Sequence, residues 1–123
     1  MKKIAVVEDN PDNRLLVQAI LDDRYELSEY ETGAEAVAGL GTDLPDLILL
    51  DISLPEMDGT EVLAWIRQQD ALKATPVIAL TAHAMAGDRE KYLRAGFNDY
   101  VTKPIVDESV LTEAIERWLG KEG

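Results

Sequence analysis

Five short apolar runs, each followed by a longer stretch of helical periodicity, constrain this chain more than any other feature in it. A strand that must cross a helix before the next strand begins cannot form a hairpin. It pairs in parallel, and the crossover helices cover both faces of the sheet. "KIAVVE", "YELSEY", "LILLD", "PVIALT" and "DYVTK" read as the strands. The third is the most buried in appearance, the second is weaker, and the fifth is short and less apolar. The helices read as "NPDNRLLVQAILDD", "GAEAVAGL", "DGTEVLAWIRQQ", "AGDREKYLRAG" and "DESVLTEAIERWLG". Asn10 is a cap candidate with Pro11 at the first helical position, Asp107 caps the last helix, and Gly96 takes the C-terminal position of the fourth. Leu15, Leu16, Ala19 and Ile20 form the expected apolar stripe of the first helix. Val62, Leu63 and Ile66 form that of the third, and Val110, Leu111, Ala114, Ile115 and Trp118 that of the last. The expected class is α/β, a doubly wound, five-stranded parallel sheet.

In such a sheet, ligands sit beyond the carboxyl ends of the strands, where the strand order reverses. The residues that finish the strands therefore decide what the fold does. Leu47 to Leu50 run straight into a lone carboxylate, Asp51, a poor end for a buried strand unless the charge has a use. The first strand ends in Glu8 and Asp9, the fourth in Thr81, and the fifth is followed by Lys103 and Pro104. Taken singly, each has an ordinary reading. A carboxylate after a strand is commonly a turn former or helix cap, a threonine there is structural, and a lysine is a solvated charge. Together they put three carboxylates, one hydroxyl and one ammonium on one rim. Clustered carboxylates repel one another, and a divalent cation would neutralise them; hard oxygen ligands suit Mg²⁺, and Mn²⁺ would fill the same set. The guest that fits a metal beside a lysine is a phosphoryl group, and a carboxylate can attack phosphorus to form an aspartyl phosphate.

Composition bounds the alternatives. At 123 residues the chain makes one domain, 1–123, with a core that needs no staples. It has no cysteine, so disulfides and thiolate metal sites are excluded, in keeping with a reducing, cytoplasmic setting. The apolar run of the N-terminus, Ile4 to Val7, is too short for a signal peptide or a membrane span. A net charge of −12 disfavours direct binding to nucleic acid or anionic lipid and leaves a protein or a cation as partner, although most of these acidic groups simply keep a small protein soluble.

"VVEDN", "LILLDISLPEMDG", "VIALTA" and "YVTKP" together resemble the receiver domain of two-component response regulators, from Lys3 to about Leu119. The resemblance implies a flavodoxin-like (βα)5 sheet of strand order 2-1-3-4-5. It implies that Asp51 accepts a phosphoryl group from a histidine kinase or a histidine phosphotransfer protein. Glu8 and Asp9 would hold Mg²⁺, Asp9 directly and Glu8 through water, with Asp51 and the backbone carbonyl of Ser53 completing the set. Thr81 matches the switch hydroxyl, Tyr100 the switch aromatic, Ala82 the small residue that leaves room for that ring, and Lys103 the phosphate-binding lysine, with the Lys103–Pro104 bond cis in the family. On this reading phosphorylation draws Thr81 inward, Tyr100 follows, and the surface of the fourth helix, fifth strand and fifth helix changes for an unidentified downstream partner. His83, the only histidine, reads as a surface residue; its place in the family borders the phosphoryl site, where it would shape water access. Trp65 and Trp118 read as packing residues.

"LTAHAMAGDREKYLRAGFNDYVTKPI" is especially similar to receivers of hybrid histidine kinases and of stand-alone regulators. The starting methionine and short "GKEG" tail favour a stand-alone receiver without an output domain over one cut from a longer chain. Three other functions compete. A haloacid-dehalogenase-like phosphatase also uses an aspartyl nucleophile but needs a second aspartate two residues on, where Ser53 stands. A nucleotide or flavin binder needs a glycine-rich first turn, and "VEDNPDN" has none. A receiver fold that signals without phosphorylation has no need of the full acidic, hydroxyl and lysine set. The expected protein is a phospho-accepting switch, not a turnover enzyme.

Overall fold

The computed structural model describes residues 1–82, 88–103 and 105–120, with Arg89 described by its backbone alone. Ten elements alternate: β1 (Lys3–Val7), α1 (Pro11–Leu21), β2 (Glu26–Tyr30), α2 (Gly33–Leu40), β3 (Leu47–Asp51), α3 (Gly59–Gln68), β4 (Val77–Thr81), α4 (Asp88–Ala95), β5 (Asp99–Thr102) and α5 (Glu108–Leu119). The strands form one parallel sheet in the order β2-β1-β3-β4-β5. The fold class and strand order are those expected. The reversal of order lies between β1 and β3, and Glu8 and Asp51 stand at the carboxyl ends of those two strands.

Alternation along each strand divides the core into two layers. Ala5, Val7, Ile48, Leu50, Val77 and Ala79 face α2, α3 and α4, where Ala36, Leu40, Val62, Leu63, Ile66 and Tyr92 meet them. Ile4, Val6, Leu47, Leu49, Ile78 and Leu80 face α1 and α5, against Val17, Ile20, Leu21, Leu111, Ala114 and Ile115. β3 and β4 are buried over their whole length, as a central parallel strand must be when helices cover both faces. β2 and β5 lie at the edges and are only partly covered.

Two helical stripes differ from expectation. α1 buries Val17, Ile20 and Leu21, while Leu15 is 60% exposed and Ala19 also faces outward. Almost every residue from Leu15 to Leu21 is apolar, so periodicity left two faces open, and packing against α5 and the sheet selected the one that includes Leu21. In α5, Leu111, Ala114 and Ile115 are buried as expected, but Val110 and Trp118 lie on the rim at 49% and 40% exposure. Trp118 is held there by its indole N–H, which donates to Asp99 Oδ2 at 3.1 Å, beside an ion pair between Arg117 and Asp99.

The helix starts follow the sequence. Asn10 Oδ1 accepts from the amides of Asp12 and Asn13, Asp58 caps α3, and Asp107 caps α5. Thr32 and Glu35 form a capping box at the start of α2. Gly96 adopts φ +114°, the left-handed turn that ends α4.

Candidate functional site

The carboxyl edge of the sheet gathers the residues the sequence singled out. Lys103 follows β5, and its amide donates to the carbonyl of Thr81 at 2.7 Å, which extends the β4–β5 ladder by one bond. Its ammonium reaches across β4 to lie 3.0 Å from Glu8 Oε1 and 3.1 Å from Asp51 Oδ2. Glu8 is fully buried and Asp51 is 1% exposed. Glu8, Asp9 and Asp51 each bring a carboxylate oxygen to within 4.8 Å of the others. Asp9 is the exposed member.

The loop after Asp51 is folded back onto the strand end. The amide of Ser53 donates to Asp51 Oδ1 at 2.9 Å, and the amide of Gly59 donates to the carbonyl of Ile52 at 3.0 Å. Glu56 takes a left-handed conformation, φ +65°, to let the chain turn. At Gly59 a β-carbon would fall 2.4 Å from the carbonyl oxygen of Asp51 and 2.8 Å from Cα of Ile52, so only glycine permits this approach.

Charge is distributed unevenly in this cluster. Burial, and then the neighbouring Asp51, push Glu8 up to about 7, against the opposing pull of Lys103. Burial also pulls Asp51 upward, but bonds from the Glu8 carboxyl, the Ser53 amide and Lys103 outweigh it and hold Asp51 below the ordinary carboxylate range. Burial opposes the charge on Lys103, and the two carboxyl groups more than restore it. Below about pH 7 the proton is held on the Glu8 side of the pair, with Asp51 ionised beside Lys103. A proton held at such cost is one that a cation would displace, and three hard oxygen donors with open positions suit a divalent ion of the magnesium class. The donor set fits a metal.

Three contributors were not visible as site residues in the sequence. Arg14, on α1, donates from Nη1 to the carbonyls of Glu8 at 2.9 Å and Asp9 at 3.1 Å, and from Nη2 to Glu31 at 3.0 Å, so it fixes the backbone of the acidic pair. Asn13 Nδ2 donates to Glu8 Oε1 at 3.1 Å. Tyr92, on α4, places its hydroxyl 3.0 Å from Thr81 Oγ1. Only Tyr92 carried a signal, as the one large aromatic residue in a polar helix.

The expected switch residues are near one another. Thr81 is 1% exposed, and half-buried Tyr100 lies with its ring centroid 6.1 Å from that of Tyr92. Ala82 is exposed. Ser53 contacts Asp51 through its amide; the role expected for its carbonyl needs a bound ion. His83 and Pro104, hence the Lys103–Pro104 bond, lie outside the described residues.

Over residues 4–116 the chain matches the response regulator receiver domain. It belongs to that family. The receiver is 40% identical over 120 residues to the polar-differentiation response regulator DivK of Brucella anthropi, covering 97% of each chain. It is 39% identical over 122 residues to the sensor protein GacS of Pseudomonas syringae pv. syringae, where it covers 96% of this chain but spans only 13% of GacS. Among solved structures, the receiver domain of the sensor histidine kinase PA1611 from Pseudomonas aeruginosa PAO1 superposes with a TM-score of 0.87 at 39% identity over 98% of both chains. That protein has a magnesium ion coordinated in its active site cleft. Receivers are phosphorelay signalling modules of two-component systems, and this chain is one of them. Among the described residues no helix is long and apolar enough to cross a membrane.

Proposed function

We propose that this receiver takes a phosphoryl group onto Asp51 from a phosphohistidine donor, a histidine kinase or a histidine phosphotransfer protein, in a Mg²⁺-dependent reaction in the cytoplasm. The observation that carries the reading is Lys103, which spans β4 to pair with both Glu8 and Asp51 in a buried acidic cluster. A carboxylate oxygen of Asp51 attacks phosphorus. The P–O bond forms as the P–N bond to the donor imidazole breaks, and the electron pair stays with the imidazole nitrogen. Asp51 is ionised for this attack because Lys103 and the Ser53 amide hold its charge. Its strand gives it a fixed direction, and the closely packed turn at Gly59 keeps that strand end in place.

Glu8, Asp9 and Asp51, with the Ser53 carbonyl, would hold the ion, which when bound supplies positive charge against the phosphoryl oxygens. Glu8 would hold the ion as a carboxylate, without its proton. Lys103 then turns its ammonium from the carboxylates to the phosphoryl group, and Thr81 donates its hydroxyl to another phosphoryl oxygen. Tyr100 moves inward behind it, and the face formed by α4, β5 and α5 changes for a downstream protein. Asp51 is both acceptor and site of hydrolysis, so the chain acts as a switch that is reset, with no second substrate to turn over.

The test is intact mass after incubation with Mg²⁺ and either acetyl phosphate or a phosphorylated kinase. The expected result is a gain of one phosphate, lost in Asp51→Asn and on chelation of the metal. A phosphate that persists in Asp51→Asn refutes the assignment. Steady release of phosphate from an ester would instead make the protein a phosphatase.

A further inference from the structure

The hydroxyl pair of Thr81 and Tyr92 adds a component to the switch. The two oxygens lie 3.0 Å apart, and both residues are buried, at 1% and 6% exposure. Thr81 continues the alternation of Val77 and Ala79, so its side chain belongs to the layer that faces α4. In α4 the side chains of Glu90, Lys91, Leu93, Arg94 and Ala95 are exposed and Asp88 is half-buried, while Tyr92 is buried against the sheet. Its ring is held in place, edge-on to Phe97 at 6.2 Å and tilted against Tyr100 at 6.1 Å.

We propose that Tyr92 is a positioning residue for the phosphoryl reaction. Its hydroxyl holds Thr81 Oγ1 on the α4 side of β4 while Asp51 is unmodified, and releases it when a phosphoryl group forms. The inference rests on the function proposed above and extends it to a residue outside the acidic cluster. Phosphoryl oxygens only accept hydrogen bonds, so Thr81 must turn its hydroxyl toward β3 to donate to one of them. Once Thr81 turns toward the phosphoryl group on β3, its oxygen leaves the reach of a tyrosine whose ring is fixed by two aromatic neighbours. The bond between Tyr92 and Thr81 breaks as Thr81 gains a phosphoryl oxygen, and the same ring abuts Tyr100. Tyr92 is thus the physical link between the hydroxyl that senses the phosphoryl group and the aromatic side chain that reports it.

The substitution Tyr92→Phe keeps the ring and removes only the competing hydroxyl. Beryllofluoride with Mg²⁺ stands in for the phosphoryl group. The hydrogen bond exists in the free form alone, so the variant is expected to bind beryllofluoride about five-fold more tightly, which corresponds to one ordinary hydrogen bond of about 1 kcal/mol. The free variant should be less stable to urea than wild type by the same factor, and the beryllofluoride forms should be equally stable. In a Thr81→Ala background the change at Tyr92 should have no effect on affinity. In the unaltered protein, the Cζ resonance of Tyr92 should shift on saturation as its hydroxyl loses Thr81.

Equal loss of stability in both forms with unchanged affinity would make Tyr92 a packing residue and overturn the proposal. Weaker binding would overturn it too, because Tyr92 would then be supporting Thr81 in the bound form. A static Cζ resonance has the same force. Wild-type protein that binds no beryllofluoride would remove the parent function together with this inference, whereas wild type that binds it normally beside an unaltered Tyr92→Phe removes this inference alone.

Discussion

Asp51→Asn is expected to destabilise the metal-free protein more on the acid side of neutrality than on the alkaline side. Glu8 titrates near 7 in the folded chain against an ordinary 4.5. A group whose folded pKa is raised contributes fully below its unfolded value and loses that contribution as pH rises through the folded one. At about 1.4 kcal/mol per unit, ionisation of Glu8 withdraws at most about 3.5 kcal/mol. Burial is the larger cause of the shift and survives the substitution. Asp51 is the next cause and is removed, so roughly 0.5–1 kcal/mol returns to the variant once Glu8 is ionised. Asp51 itself is shifted downward, so its pairing with Lys103 contributes above its ordinary value of 3.8 and is lost as pH falls through the folded one. At about pH 5, where Glu8 still carries its proton, the variant simply lacks a paired carboxylate and should be the less stable protein. The assay is urea unfolding in a chelating buffer at about pH 5 and about pH 8, with the slope checked for constancy. The stability difference should move toward the variant by about 1 kcal/mol between them. A difference that does not depend on pH, or that moves toward wild type as pH rises, would refute the shared-proton account of the cluster. Added Mg²⁺ should then stabilise wild type more than the variant, because binding to the folded form alone raises stability.

Gly59→Ala should lower the urea midpoint by an amount equivalent to about 1–3 kcal/mol and slow phosphate uptake, since the added carbon meets backbone atoms of Asp51 and Ile52 that cannot yield without moving the strand end; a variant with wild-type stability and uptake would show that the turn is not held as described. Arg67→Met should cost about 2–4 kcal/mol, because the guanidinium donates to the carbonyls of Lys73 at 3.0 Å, Thr75 at 2.8 Å and Gly96 at 2.8 Å and to Asn98 Oδ1 at 2.8 Å. Arg67→Lys should recover little of this, since an ammonium cannot span four acceptors arranged around a planar fork; full recovery would assign the stability to charge alone.

The residues legible in the sequence were those whose position depends on where a strand stops. A strand in a doubly wound sheet is recognised as an apolar run, and the first polar residue after it must stand at the rim, so Glu8, Asp51, Thr81 and Lys103 could be placed without knowing how any helix was rotated. The residues that escaped notice depend on helix phase. Each residue advances a helix by about 100°, and a run as uniformly apolar as Leu15 to Leu21 does not say which face turns inward. That ambiguity misplaced Leu15 and Ala19, and it concealed Arg14, whose reach to the carbonyls of Glu8 and Asp9 exists only at the observed rotation. α5 erred in the same way at Val110 and Trp118. In α4 the sequence was polar enough to be dismissed, and there the single buried aromatic, Tyr92, lies against the hydroxyl of Thr81. The two classes divide the labour of the site. On the proposed function, strand ends supply the groups that would touch phosphorus and metal, where chemistry dictates the residue type and one rim position will serve. Helix faces supply the groups that fix backbone carbonyls and hydroxyl rotamers, where any side chain of the right length and phase can do the work. A receiver can therefore keep the same acidic, hydroxyl and lysine set while its timing is tuned from the helices, and in this chain Arg14 and Tyr92 are the positions from which such tuning would act.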